Sequence, residues 1–519
     1  MKHHQNFTIL AAGPFSFSGN GCQNVIRDFP GTVGQNFPQD FPRDAVMVSI
    51  PMEKHVCPEG HLDLTFCHPD DFLSKNIIGN NPWLVNLKSA VDYISRAQAE
   101  GASVQEIYQR LCQWENLPVR FEPPAAEGER QVLDERGASA LDDILNMVDT
   151  DAWEGGNAAT DGAGPETWKA AVQKRLQQNL TAVLNDPVYL STVASWKGLA
   201  LLSHHCAGKD SVFLQTLALA TKDRDALPET LRREFPRTRP DLLLVDFMFD
   251  SSPRSLSVIE AMALVCDEFM VPAIIGVNER FFYLKAWTDV TMLPYVPHYM
   301  DATRFAGWNR FRASSPATWL VAACTRFTIQ EDDEVVPEAG TNVDEAPLCR
   351  LSPVWAAATL CVQSISACGW PTRFAGSEKE MRIEKAAAEV LIDGERAEGF
   401  VRSGFMPLSA DDSNAMVFFH AESAVSGHSF CMQMLVARSV KFFLDLSDRM
   451  DHGQPRQAAE QQIRDAWLAF WSATTADPPD DSDIALSPGS SGGLVLSVSF
   501  TAPPAILPDS PAVSFSLRW

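Results

Sequence analysis

The sequence predicts a mixed α/β fold, with a parallel or mixed sheet flanked by helices and a β-hairpin closing the chain. Three stretches carry this reading. DLLLVDFMFD, SLSVIEAMALVCDEF and VPAIIGVN follow one another as a buried strand, a helix and a second buried strand. That is a βαβ unit, whose strands must run parallel. NFTILAAGPFS and AVMVSI read as short strands near the start. At the far end Leu494, Leu496, Val498 and Phe500 alternate with Val495, Ser497 and Ser499, TAPPAILPDSPA turns the chain, and Val513, Phe515, Leu517 and Trp519 repeat the alternation. A two-stranded ribbon alone is marginal in water, so it must lie on the body or pair with further strands.

A chain of 519 residues exceeds what one core usually supports, and 45% apolar residues are enough for all of it to fold apart from linkers. Composition divides it into a first unit over 1–122, a Gly/Ala/Pro-rich linker over 123–166, a core over 167–486 and the hairpin over 487–519. The net charge of −24 argues against nucleic-acid binding, which needs clustered Lys and Arg. No stretch has the length and apolarity of a membrane span, and MKHHQNFTIL lacks a signal-peptide core. Eleven cysteines, set mostly in apolar runs such as AMALVC and AAATLC, read as buried free thiols in a reducing compartment, and the expected location is the cytoplasm.

HVCPEGHLDLTFCHPDDF crowds Cys57, His61, Cys67 and His68 together, as a metal site would. Pro58 and Gly60 break any helix between the first two, and neighbours on a strand point to opposite faces. Leu62, Leu64 and Phe66 alternate with Asp63 and Thr65, so a half-buried strand is the stronger reading, with Asp70 and Asp71 at the start of a helix that leads to Leu84, Leu87 and Val91. Within the linker, Leu141, Ile144, Leu145 and Val148 form one apolar stripe over 139–149. That stripe either docks on its own chain or recognises a partner.

Trp168 to His205 reads as helix, broken at Pro187. WNRFRASSPATWLVAAC reads as helical, with Ser315 as a cap and Pro316 at the first helical position. SPVWAAATLCVQSISACGW and FCMQMLVARSVKFFLDLSDRM are further helices, the second apolar on most sides and therefore deep. Ligands of parallel sheets gather beyond strand ends, which makes Asp246, Asp250, Asn278 and Glu279 candidates for a site, with His204 and His205 as bases or metal ligands. No phosphate loop, nucleophile elbow or paired-histidine metal motif accompanies them, and the acids also suit helix capping.

Taken in order, these motifs resemble the small and large subunits of the type VI secretion contractile sheath, TssB and TssC, joined head to tail. ILAAGPFS, LDLTFCHPDDF and NPWLVNLKSAVDYI are similar to the small subunit; LNDPVYLSTVASWKGLALL, DLLLVDFMFD, AGWNRFRASSPATWL, RSGFMPL and the closing strands are similar to the large one. The resemblance implies a sheath-subunit-like fold and a structural protomer with no catalytic residues, metal or cofactor. It would assemble with copies of itself or other sheath subunits around an inner tube and on a baseplate, and Leu494, Leu496, Val498, Phe500, Val513, Phe515 and Leu517 would join neighbours by strand exchange. It also implies that Leu141, Ile144, Leu145 and Val148 form a handle for a ClpV-type AAA+ ATPase. A non-propagating cap or baseplate-associated accessory is the alternative within this class, and a metal-dependent enzyme the alternative outside it.

Overall fold

The computed structural model describes residues 6–15, 26–29, 46–124, 164–329 and 349–519, leaving out 55, 68–70, 72–73, 118, 120, 208, 210, 376–380, 393, 411–415, 419–420, 426, 452, 475–476, 480 and 489–492. The first part contributes β1 (Phe7–Gly13), β2 (Ile26–Phe29), β3 (Val46–Pro51), β4 (His61–Phe66), α1 (Pro82–Ala99) and α2 (Val104–Cys112). Two helices, α3 (Pro165–Asn185) and α4 (Pro187–Cys206), lead into β5 (Val212–Ala218), α5 (Leu227–Thr238), β6 (Leu242–Phe249), α6 (Pro253–Phe269) and β7 (Ala273–Val277). After α7 (Val296–Met300) and α8 (Ala306–Arg312) come β8 (Leu320–Cys324), β9 (Phe327–Ile329), α9 (Pro353–Cys368), β10 (Ala386–Ala388), α10 (Gly394–Arg402), β11 (Phe405–Ala410) and β12 (Met416–Phe418). The last part is α11 (Phe430–Ser447), α12 (Arg456–Ser472), β13 (Asp483–Pro488), β14 (Leu494–Thr501) and β15 (Ala512–Arg518).

Among the described residues, the central sheet has eight strands in the order β12-β11-β8-β7-β6-β1-β5-β2, parallel throughout except for the antiparallel strands at its two ends. The expected βαβ unit is β6-α6-β7. Side chains alternate between two cores, as the period of two requires. Ile9, Leu242, Leu244, Ile274 and Val321 face one, beneath α4, α9 and α11; Leu10, Leu243, Val245, Ile275 and Leu320 face the other, beneath α5, α6 and α8.

β1 joins parts of the chain that the domain reading places apart. Predicted as part of a first unit over 1–122, it lies inside the sheet between β5 and β6, with Phe7 opposite Val212 and Ile9 opposite Leu242. Ile9, Leu10, Ala11 and Ala12 are wholly buried, which is why the segment is apolar on both faces. Asp241 pins it in place, accepting from Thr8 N at 2.8 Å and from Lys441 Nζ at 2.6 Å. The N-terminal strand and the larger part of the chain therefore share one sheet and both of its cores.

Three local expectations change. LVAAC, read as the end of a helix, is β8, with all five residues buried; a short apolar run has no periodicity to separate strand from helix. The helix expected from Asp70 and Asp71 begins at Pro82, where Asn81 Oδ1 accepts from Trp83 N and Leu84 N, and a 3-10 segment over Ser74–Asn80 precedes it. The closing ribbon has three strands, since Asp483–Pro488 pairs with β14.

α4 crosses α9 at Gly198, where any Cβ would overlap the Trp355 ring. Both helices are held by buried neighbours, so neither can retreat. Gly198→Val is expected to destabilise the fold by about 1–3 kcal/mol or more, measured as a lower midpoint in urea at unchanged slope.

Candidate functional site

The C-terminal sheet runs β13-β14-β15, antiparallel throughout. Ile484, Leu486, Leu496, Val498, Phe500, Val513 and Leu517 are buried on its inner face. They rest on aromatic side chains of α11 and α12: Phe500 lies 5.5 Å from Trp467 and 6.0 Å from Trp471, and Phe515 lies 6.0 Å from Phe443. Thr372 Oγ1 donates to Ile506 O at 2.9 Å and holds the β14–β15 turn. Of the residues predicted for strand exchange, Leu496, Val498, Phe500, Val513 and Leu517 are therefore covered by the chain's own helices, while Leu494 and Phe515 are half-buried.

What the sheet leaves available is backbone at its edges. In an antiparallel pair, residues alternate between those bonded to the neighbouring strand and those whose N–H and C=O point away. Trp519 N–H donates to Leu494 O and Ala502 N–H to Pro511 O, so Val513, Phe515 and Leu517 bond inward. The backbone groups of Ser514, Ser516 and Arg518 consequently point outward along a strand that, among the described residues, ends the sheet. At the opposite end β13 is occupied: Leu486 N donates to Glu460 Oε1 at 2.9 Å, and Arg464 Nη2 and Nε reach Ile484 O at 2.9 and 3.3 Å. Arg456, Glu460 and Arg464 read in sequence as an ordinary i, i+4 charge ladder on a solvated helix face. No local signal tells that two of them meet a strand edge.

The residues considered for catalysis do not converge. Asp246 lies within a bulge of β6 between Val245 and Met248, beside Gly13 of β1, where a Cβ would stand 3.0 Å from that of Asp246. Burial pushes its carboxyl up to about 7, against Ser195, Trp355 and Ser352, which favour the charged form; its Oδ2 is buried and makes no hydrogen bond. Asp250 stands two residues before Ser252, the N-cap of α6, and accepts from Ser252 Oγ and Ser255 Oγ at 2.5 Å each. Burial raises its pKa, but these bonds and the charge of Arg224 outweigh that and hold it below the usual range. Asn278 N donates to Phe249 O at 3.0 Å, and Glu279 stands 3.8 Å from Arg326. His204 and His205 lie with ring centres 5.7 Å apart and planes nearly perpendicular; burial first, then His204 and Lys209, lowers His205 to about 4, so it is neutral at pH 7.

In the cysteine-rich stretch, Cys57 Sγ donates to His61 O at 3.3 Å inside the core, His61 Nε2 stands 3.5 Å from Asp63, and Cys67 is exposed on the far side of β4. Among the described residues, no three His, Cys, Asp or Glu side chains are grouped to hold a metal. Likewise no described helix is long and apolar enough to cross a membrane. His68 and the stripe of Leu141, Ile144, Leu145 and Val148 lie outside the described residues.

Among the described residues, the central sheet carries no group of metal-binding side chains and the small antiparallel sheet ends at β15. Residues 240–426, from β6 through β12, match the VipB family model, described as EvpB/VC_A0108, tail sheath N-terminal domain. The type VI secretion system sheath protein TssC1 of Pseudomonas aeruginosa is 18% identical over 282 residues, which are 46% of this chain and 57% of that protein. Among solved structures, the sheath tail protein Lin1278 from Listeria innocua aligns at 10% identity with a TM-score of 0.35, covering 59% of this chain and 61% of that one. A chain of the anti-feeding prophage helical sheath in its contracted state aligns at 11% identity with a TM-score of 0.36, covering 62% and 77%.

Proposed function

We propose that this chain is a structural protomer of a type VI secretion-like contractile sheath, with small-subunit-like and large-subunit-like parts fused in one polypeptide. The match of residues 240–426 to a tail sheath domain carries this reading. The seating of β1 between β5 and β6 supports the fusion, because two parts that share a sheet gain from being made in equal amounts and held at high effective concentration. In this reading the protein makes and breaks no bonds. The sheet is a rigid block, and the outward backbone of β15 accepts an extended strand from a neighbouring sheath subunit. The partners are other copies or sheath subunits, an inner tube and a baseplate, with a ClpV-type ATPase engaging Leu141, Ile144, Leu145 and Val148.

Ser516→Pro tests the open edge, because the Ser516 N–H points away from β14 and its removal leaves the sheet's own ladder intact while obstructing an added strand. Sedimentation and negative-stain electron microscopy, with and without cognate sheath and tube proteins, are expected to show assembly by the parent chain. The variant should assemble about tenfold more weakly or worse. Equal assembly by both chains would remove β15 as the joint. Incorporation only at the end of a sheath would identify a cap.

A further inference from the structure

The two ends of the C-terminal sheet are finished differently, and the difference lies in side chains of α12. We infer that α12 is an edge guard: Glu460 and Arg464 occupy two of the outward backbone groups of β13, Leu486 N–H and Ile484 C=O, so that β15 of a second copy cannot pair there without displacing them and strand addition is confined to β15. This rests on the proposed function only in taking β15 as the edge that accepts a strand.

The guard answers a specific hazard. A sheet with both edges open can stack β15 of one copy on β13 of the next, a head-to-tail contact that does not close and therefore grows as a fibre. Apart from Pro488, which ends the strand without an N–H to give, the residues of β13 do little to discourage that pairing. Its exposed or half-exposed side chains are Asp483, Ala485, Ser487 and Pro488; those of β15 are Ala512, Ser514, Phe515, Ser516 and Arg518. The serines and alanines are small and uncharged, and Arg518 would attract Asp483. Protection comes instead from the backbone being already engaged, by charge-assisted bonds that an incoming strand must displace. Glu460 is kept ionised for this, since the Leu486 N–H first and then Arg456, 3.1 Å away, hold its carboxyl below the usual range. Arg464 completes the guard one helical turn on, which is the spacing needed to span from Leu486 N to Ile484 O.

The test is Glu460→Ala combined with Arg464→Ala in the full chain, compared with the parent chain by sedimentation and electron microscopy. Near-ultraviolet circular dichroism of the Trp467–Trp471–Phe500 cluster checks that the sheet stays docked. The expected result is fibre-like, concentration-dependent species absent from the parent chain, which disappear when Ser516→Pro is added because the fibre needs β15 as its other half. Glu460→Gln, which still accepts from Leu486 N, should behave as the parent chain does. Should the double variant unfold, Glu460→Ala alone frees the Leu486 amide; it should then exchange with deuterium at least tenfold faster and show the same species in smaller amount. A folded double variant with an unchanged size distribution, or a Glu460→Ala chain with an unchanged Leu486 exchange rate, overturns the guard. If instead Ser516→Pro leaves normal assembly untouched, it is the assembly reading that fails, and the guard is still judged by whether the freed β13 edge stacks.

Discussion

Trp467→Ala is expected to lower stability by about 3–5 kcal/mol and to release the C-terminal sheet from the body. Trp467 is 1% exposed and stands at the junction of three elements. Its ring lies 4.9 Å from Phe443 and 5.5 Å from Phe442 on α11, 5.5 Å from Trp471 on α12, and 5.5 Å from Phe500 on β14. Truncation removes a large apolar surface between sheet and helices and leaves a cavity whose walls belong to different elements. Helices and sheet cannot close it together. Two readouts separate local release from global loss. Urea unfolding should show the lower stability, and limited proteolysis should cut first after α12, between residue 473 and the C-terminus. Because a detached sheet no longer presents β15 in a defined orientation, assembly should fall with it. A variant as stable as the parent chain and equally resistant to protease would mean that the sheet is held by something other than this aromatic cluster.

Asp246 sets the second large effect, and it depends on pH. Its carboxyl rises from an ordinary value of 3.8 in the unfolded chain to about 7 in the fold, chiefly through burial. The folded state thus binds the proton more tightly. Between these two values the fold holds more protons than the unfolded chain, so stability falls as pH rises from about 4 to about 7 and then levels off. The full penalty above pH 7 is on the order of 4 kcal/mol. Asp246→Asn removes the titration, keeps nearly the same shape, and leaves an amide that can bond to Ser195 and Ser352. It is expected to stabilise the protein at pH 8, to change it little at pH 4, and to flatten this part of the pH profile. Identical pH profiles for the two chains, measured by chemical denaturation, would show that the group is already ionised in the fold at low cost. Since Asp246 lies beside Gly13 of β1, the penalty falls where the N-terminal strand joins the sheet.

The legible parts of this fold are those where a period repeats within one element. The alternation in β4 and β14, the Pro187 break between α3 and α4, and the βαβ order of β6, α6 and β7 all appear as expected. LVAAC was not legible, because five buried residues in a row carry no period. The insertion of β1 was not legible either: its apolar run shows that both faces are covered without naming the strands that flank it. At the candidate joint, the buried face of the C-terminal ribbon was readable from Val498, Phe500 and Val513. That Trp467 and Trp471 of the same chain cover it was not, nor was the meeting of Glu460 and Arg464 with β13.

By itself, then, the sequence determined which residues turn inward along each strand and helix, because that depends on backbone geometry over a few neighbouring positions. Only the tertiary structure decided which strand lies beside which and which edge of the last sheet stays open. Those outcomes depend on hydrogen bonds and contacts between residues far apart along the chain, for which a local pattern holds no record.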